Sequence, residues 1–121
     1  MATFKAGLFY TDSHEWAEFN GSRAKIGLAD YAQDQLGDLV FVTLPEIGAA
    51  VTAGKAFTDV ESVKAVSEVF SPVTGKIVAV NEALTDNPEL INSDPYGAWI
   101  CEVEFTAKGN LMNADEYSKI I

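Results

Sequence analysis

The sequence predicts a mostly β fold with short peripheral helices, and three observations carry that prediction. β-Branched and aromatic residues gather in short runs such as Leu39–Leu44, Ala65–Phe70 and Trp99–Phe105. Turn formers punctuate them: Asn20-Gly21, Pro45, Gly48, Gly54 and Ser71-Pro72. The segments with helix signals are brief. No linker or low-complexity stretch divides the 121 residues, so the whole chain, 1–121, reads as one domain.

Residues 1–12 form a lead-in, with Leu8-Phe9-Tyr10 a candidate edge strand. From His14 to Phe19 polar and apolar residues alternate, which predicts a half-buried strand with Trp16 inward. Asn20-Gly21 predicts a hairpin, because both residues tolerate positive φ, and Arg23–Leu28 returns with Ala24, Ile26 and Leu28 on the core face. Asp30 suits an N-cap, with Gln33 at the third helical position and Gly37 in the left-handed position past the end. Leu39–Leu44 is apolar on both faces and predicts a central strand, ended by Pro45. A brief strand is expected near Val51.

The runs Ala56–Val60 and Ala65–Phe70 predict a hairpin over about 56–71, with Lys64 at or near its tip. Val73-Thr74-Gly75-Lys76 is expected to turn into a strand at Ile77–Val80, and Asn87-Pro88 to open one helical turn. The alternation of Trp99–Phe105 sends Trp99, Cys101, Val103 and Phe105 inward and Glu102 and Glu104 outward. Asn113 with Glu116 forms a capping box for a C-terminal helix over about 113–120, with Leu111, Tyr117, Ile120 and Ile121 available for docking.

With 8 basic against 18 acidic residues the net charge is −10, which argues against nucleic acid and anionic membranes as partners. It suits a protein that meets others through charge complementarity. One cysteine excludes an internal disulfide, and no apolar run approaches a membrane span. A start without a signal or transit pattern makes the cytoplasm the expected location.

The catalytic candidates are thin. His14 is the only histidine, and a nucleophile pair with Cys101 would need a third orienting group, while the alternation buries Cys101. Asp86, Asn87, Glu89 and Asp94 match no cation-loop spacing. Gly27, Gly37, Gly48, Gly54 and Gly75 read as turn or boundary residues. That leaves Lys64. On residue types alone an exposed hairpin lysine mostly adds solubility or blunts a sheet edge.

The segment Glu61-Ser62-Val63-Lys64-Ala65, with Phe70-Ser71-Pro72-Val73-Thr74-Gly75-Lys76-Ile77-Val78-Ala79-Val80-Asn81, resembles the lipoyl-attachment region of the glycine cleavage system H protein family. So do Tyr10–Trp16, Asp30–Pro45, Asn81–Leu84, Asn87–Asn92 and Pro95-Tyr96-Gly97, in the same order. The likeness runs from about residue 8 to 106 and resumes at the C-terminal helix.

That resemblance implies a β-sandwich like a lipoyl or biotinyl domain (a barrel-sandwich hybrid), with lipoate in amide linkage on Lys64. It implies a non-catalytic carrier of the aminomethyl group of glycine. The partners it implies are a pyridoxal-phosphate (PLP)-dependent glycine decarboxylase, a tetrahydrofolate-dependent aminomethyltransferase, dihydrolipoamide dehydrogenase, and a lipoate ligase or octanoyl/lipoyl transferase. Amidation would remove one positive charge, from −10 to −11. By position, Ser13, Glu15 and Glu68 correspond to residues lining the arm's cleft, though Glu15 and Glu68 also read as solvated faces. Glu61 and Gly75 correspond to determinants for the lipoylating enzyme, the acid as a charge mark and the glycine as a turn former.

Two departures stand out: Gly97-Ala98-Trp99 is one residue shorter than usual, and Thr106–Asn110 lacks the acidic helix start common there. They keep a paralogous lipoyl carrier, in lipoate relay or sulfur metabolism, as one alternative. An unmodified β interaction domain is another.

Overall fold

The structure is a computed structural model and describes residues 5–121, so part of the lead-in expected over 1–12 lies outside it. In chain order the elements are β1 (Phe9–Tyr10), β2 (Glu15–Asn20), β3 (Arg23–Leu28), α1 (Asp30–Leu36), β4 (Leu39–Val42), β5 (Ala50–Val51) and β6 (Ala56–Ser62). There follow β7 (Val66–Phe70), β8 (Val73–Val80), α2 (Ala83–Asp86), α3 (Leu90–Ser93), β9 (Cys101–Lys108) and α4 (Ala114–Ser118). The strands make two antiparallel sheets, one ordered β1-β2-β3-β9-β8-β5 and the other β4-β6-β7. This is the mostly β, two-sheet architecture the sequence predicts.

Period-two patterning builds the core between the sheets. Ala24, Ile26 and Leu28 of β3 and Cys101 and Val103 of β9 meet Leu39, Val42, Val60 and Val69 of the smaller sheet, and Leu84 and Ile91 close the cluster from α2 and α3. A second cluster joins Leu8, Tyr10, Trp16, Ala29 and Tyr117. There the rings of Tyr10 and Tyr117 stack at 4.2 Å, docking α4, which opens with the expected Asn113–Glu116 capping box. Ile120, expected to dock as well, stays 51% exposed.

Several expectations are corrected. Asn20 stays in its strand opposite Arg23, so the turn is Gly21-Ser22, with positive φ at the glycine. Ala29, not Asp30, is the N-cap of α1: its amide still bonds the His14 carbonyl, and the Asp30 carboxylate accepts from Gln33 Nε2 at 2.6 Å. Asn87 ends α2, a helix the sequence reading lacks, and α3 starts after Glu89. β9 begins at Cys101, so Ile100, which alternation would turn outward, is fully buried and donates to the Ile26 carbonyl at 2.7 Å. Trp99 is only half-buried, with Lys25 Nζ 5.3 Å from its ring.

β4 is an edge strand, not a central one. A bulge between Leu39 and Phe41 takes Val40 out of register, and Val40 and Phe41 are about half exposed. Both faces are apolar, but only one is covered.

Gly27 and Gly75 lie inside strands rather than at turns. Each sits where a side chain has no room. A Cβ on Gly75 would run into the Glu104 carbonyl oxygen and lie 2.8 Å from Phe105 Cα, across the irregular β8–β9 pairing. A Cβ on Gly27 would lie 2.5 Å from the indole of Trp16, its cross-strand partner. That indole is buried and donates from Nε1 to the Pro95 carbonyl at 3.1 Å, so it has little freedom to yield. Gly27→Ala should therefore lower the unfolding free energy by about 1–3 kcal/mol. Urea titration followed by tryptophan fluorescence checks this, and an unchanged midpoint would contradict it.

Candidate functional site: the Lys64 hairpin

β6 and β7 pair from Ala56↔Phe70 up to Glu61↔Val66, leaving Ser62 to Ala65 to reverse the chain. Ser62 makes that turn. Its backbone N–H donates to the Ala65 carbonyl at 2.8 Å, and its buried hydroxyl accepts from the amides of Lys64 (3.1 Å) and Ala65 (3.2 Å). A hydroxyl that satisfies two tip amides substitutes for strand pairing where pairing ends. Lys64 is thus exposed at the tip of a closed turn, as expected.

The tip leans on the end of α1. Val63 N–H donates to the Asp38 carbonyl at 3.0 Å, and Lys64 Nζ donates to the Gln35 carbonyl at 3.2 Å. The segment it leans on is held by Asn92 of α3. Asn92 Nδ2 donates to the Gly37 carbonyl and to Gln33 Oε1, both at 2.9 Å, while its Oδ1 accepts from Leu39 N–H at 2.8 Å.

The outer face of the small sheet follows from the register. Phe41, Glu61 and Val66 form one row across the three strands, and Asp59 and Glu68 are directly opposed in another. Val63 and Val66 are each about two-thirds exposed. Glu61 and Glu68 are both exposed there, and Thr43 Oγ1 donates to Asp59 at 2.9 Å. Like charges across a strand pair repel.

At the root of the hairpin the picture differs. Glu15 is 1% exposed, so its reading as a solvated face is overturned. One carboxylate oxygen accepts from the hydroxyls of Thr11 and Ser13 (2.6 Å from Ser13), and the other accepts from the Phe70 amide at 3.1 Å. Burial pushes this carboxyl above its ordinary 4.5, against the opposing pull of Ser13, Thr11 and Phe70. Ser13 also lines a cavity of about 1010 Å³, together with Phe70, Pro72, Lys108 and Asn110. The structure therefore joins Ser13 and Glu15 by hydrogen bond, while Glu68 stands exposed beside Asp59.

Gly75 is in the other sheet from the Lys64 tip, and its close approach to β9 replaces the turn role expected of it. His14 takes a φ of 72° in the tight loop after Thr11, and its Nδ1 is 2.8 Å from the Tyr117 hydroxyl. Cys101 is buried in the inter-sheet core, where burial pushes the thiol up to about 12. The hypothetical Cys101–His14 pair is not assembled. Among the described residues no group of three or more His, Cys, Asp or Glu converges to hold a metal.

Sequence reasoning missed Ser62 and Asn92. A serine just before a lysine-tipped reversal is a legible turn signal. Asn92 falls within a segment of the family resemblance, but nothing local ties it to a hairpin so remote in sequence.

The family profile described as Glycine cleavage H-protein matches residues 8–121. The chain is 49% identical over 118 residues to the glycine cleavage system H protein of Thermoanaerobacter pseudethanolicus, covering 95% of this chain and 94% of that one. It is 53% identical over 116 residues to the mitochondrial glycine cleavage system H protein 2 of Arabidopsis thaliana, covering 93% and 74%. Among solved structures, the glycine cleavage system H protein of Mycobacterium marinum superposes with a TM-score of 0.92 at 41% identity, covering 97% and 98%.

The Glu15 environment has a measurable consequence. Because its carboxyl in the folded state lies above the ordinary 4.5, the native state holds the proton more tightly than the unfolded chain does. Stability from this group is complete below that value and is lost as pH rises through the folded one. Glu15→Gln keeps an oxygen for the Phe70 amide and an NH₂ that Thr11 and Ser13 can accept from. Unfolding free energies compared across pH should shift in favour of the variant as pH rises above about 4.5. A difference independent of pH would contradict the assignment.

Proposed function

The chain belongs to the glycine cleavage H-protein family, and from that premise we propose that Lys64 holds lipoate in amide linkage and that the protein works as a carrier in glycine cleavage, not as a catalyst. The observation that carries the reading is Lys64 itself, exposed on a turn closed by Ser62, with its ammonium outside any ion pair within the described residues. The side chain is exposed, so Nζ is open to an acylating enzyme. A bound lipoyl group would supply a redox-active disulfide that accepts the aminomethyl group of glycine and later yields it.

The chain's own residues do the rest. Ser62 fixes the direction in which the arm leaves the tip. Val66 to Phe70 spans about 13 Å at ~3.3 Å per residue, which brings an arm folded along the hairpin to the cavity by Ser13. We assign Ser13 and Glu68 to cradling the arm's amine, a carboxylate being suited to an ammonium. Glu15 acts beneath them by holding Ser13 and Phe70. Glu61, exposed three residues before Lys64, is the charge mark offered to a lipoate ligase or octanoyl/lipoyl transferase, and Gly75 contributes by seating β8 on β9.

The proposed partners are a PLP-dependent glycine decarboxylase, an aminomethyltransferase and dihydrolipoamide dehydrogenase. A surface of net charge −10 suits their recognition by complementary basic patches. We assign the protein to the cytoplasm, in keeping with its one free, buried cysteine. Among the described residues no helix is long and apolar enough to cross a membrane.

Intact mass after incubation with a lipoylating enzyme, lipoate and ATP should rise by one lipoyl group and not rise in Lys64→Arg. A mass increase that survives this substitution would sink the assignment. The lipoylated protein should then support glycine–carbon dioxide exchange with purified glycine decarboxylase. Failure where an established H protein succeeds would move the chain to another lipoyl-dependent pathway.

A further inference from the structure

We infer that Gly37 and Asn92 form a seat that presents unmodified Lys64 to the lipoylating enzyme and releases the side chain once it is acylated. The inference rests on the reading of Lys64 as the attachment site and adds two positioning residues to it.

Three observations converge. The Lys64 ammonium donates to the Gln35 carbonyl in the last turn of α1, a turn that has no basic residue of its own. Unpaired carbonyls at a helix C-terminus attract a cation. Next, the lysine stem crosses Gly37, where an added Cβ would lie 3.2 Å from Lys64 Cε, and Gly37 takes a φ of 79° that side chains rarely adopt. Finally, Asn92 clamps this same segment on both sides of Asp38, bonding the Gly37 carbonyl and the Leu39 amide, while Asp38 receives the Val63 amide. The seat is therefore fixed from α3 and occupied by the hairpin tip.

Its chemistry favours one state of the lysine. On acylation the ammonium gives up two protons to solvent or the leaving group, one to become a nucleophilic amine and one as the C–N bond forms, while the acyl carbon breaks its bond to the leaving phosphate of an acyl-phosphate anhydride or to the thiolate of a thioester. The product is neutral and has a single N–H. A lone carbonyl at a helix end then holds no charge, so the arm is free to leave. Before acylation the seat restrains a flexible side chain, and ordering it beforehand lowers the cost of docking.

The test uses the full chain, with lipoate ligase, lipoate and ATP as the probe. Gly37→Ala crowds the stem and also strains a backbone (φ 79°, ψ −159°) that is essentially reserved for glycine, so its fold is first verified by circular dichroism, and Asn92→Asp keeps the acceptor for Leu39 but removes both Nδ2 bonds. Each should raise the KM for the unmodified carrier by about threefold to tenfold, with little change in kcat. Each variant is then driven to full lipoylation, verified by mass, and assayed for glycine–carbon dioxide exchange, where it should match wild type. An unchanged KM in both variants, provided both fold, overturns the seat. Equal losses in lipoylation and in exchange overturn it too, by showing a merely structural role. A wild-type chain that accepts no lipoyl group at all overturns instead the assignment of Lys64.

Discussion

The carboxylate of Glu15 is the constraint on which the working part of this molecule depends. It belongs to β2 of the large sheet, yet one of its oxygens is committed to the amide of Phe70, at the end of β7 in the small one. The other is held by Thr11 and Ser13. A buried carboxylate is costly unless its lone pairs are filled, and these donors fill them. Its position then follows from the loop that carries it: Thr11 and Glu15 bond one another through backbone and side chain, and His14 takes its unusual φ so that the loop can close. The root of the lysine hairpin is thereby joined to the rest of the protein by a polar bond with a defined direction, which apolar packing alone does not supply.

From that root the hairpin is built in grades. Val60 and Val69 anchor its inner face in the core, the outer face carries opposed acids in water, and the tip is closed by one serine hydroxyl. Order is thus supplied at the base and at the turn, while the lysine beyond the turn, exposed as it is, has a single hydrogen bond from its ammonium, to the Gln35 carbonyl. Both properties suit the tether proposed for Lys64: a base located well enough to be recognised, and a reach free enough to serve sites on several proteins.

Much of this was legible in the sequence, for reasons that differ by region. The strand Arg23–Leu28 announces itself because its apolar residues alternate, the two strands of the 56–71 hairpin because β-branched and aromatic residues gather in them, and the α4 cap because Asn113 and Glu116 have the spacing of a reciprocal bond. Lys64 at a tip followed from two flanking runs. What failed failed through tertiary context. Leu39–Val42 is apolar on both faces, and nothing local tells a central strand from an edge strand with an uncovered face. Glu15 reads as solvated because its three donors come from Thr11, Ser13 and a backbone amide 55 residues away. Gly75 looked like a turn because a glycine demanded by a neighbouring strand is indistinguishable, in one dimension, from one demanded by φ.

The bulge at Val40 has a consequence for how this protein behaves in a crowded solution. β4 lies at a sheet edge with Val40 and Phe41 exposed, the combination that invites other chains to add a strand. A templated ladder requires unbroken alternation of donors and acceptors, and the irregularity between Leu39 and Phe41 interrupts it within a strand of only four residues. Polymerisation by edge addition is discouraged by geometry rather than by charge. Two large apolar side chains can then stand in water at a sheet edge without templating a ladder of further strands.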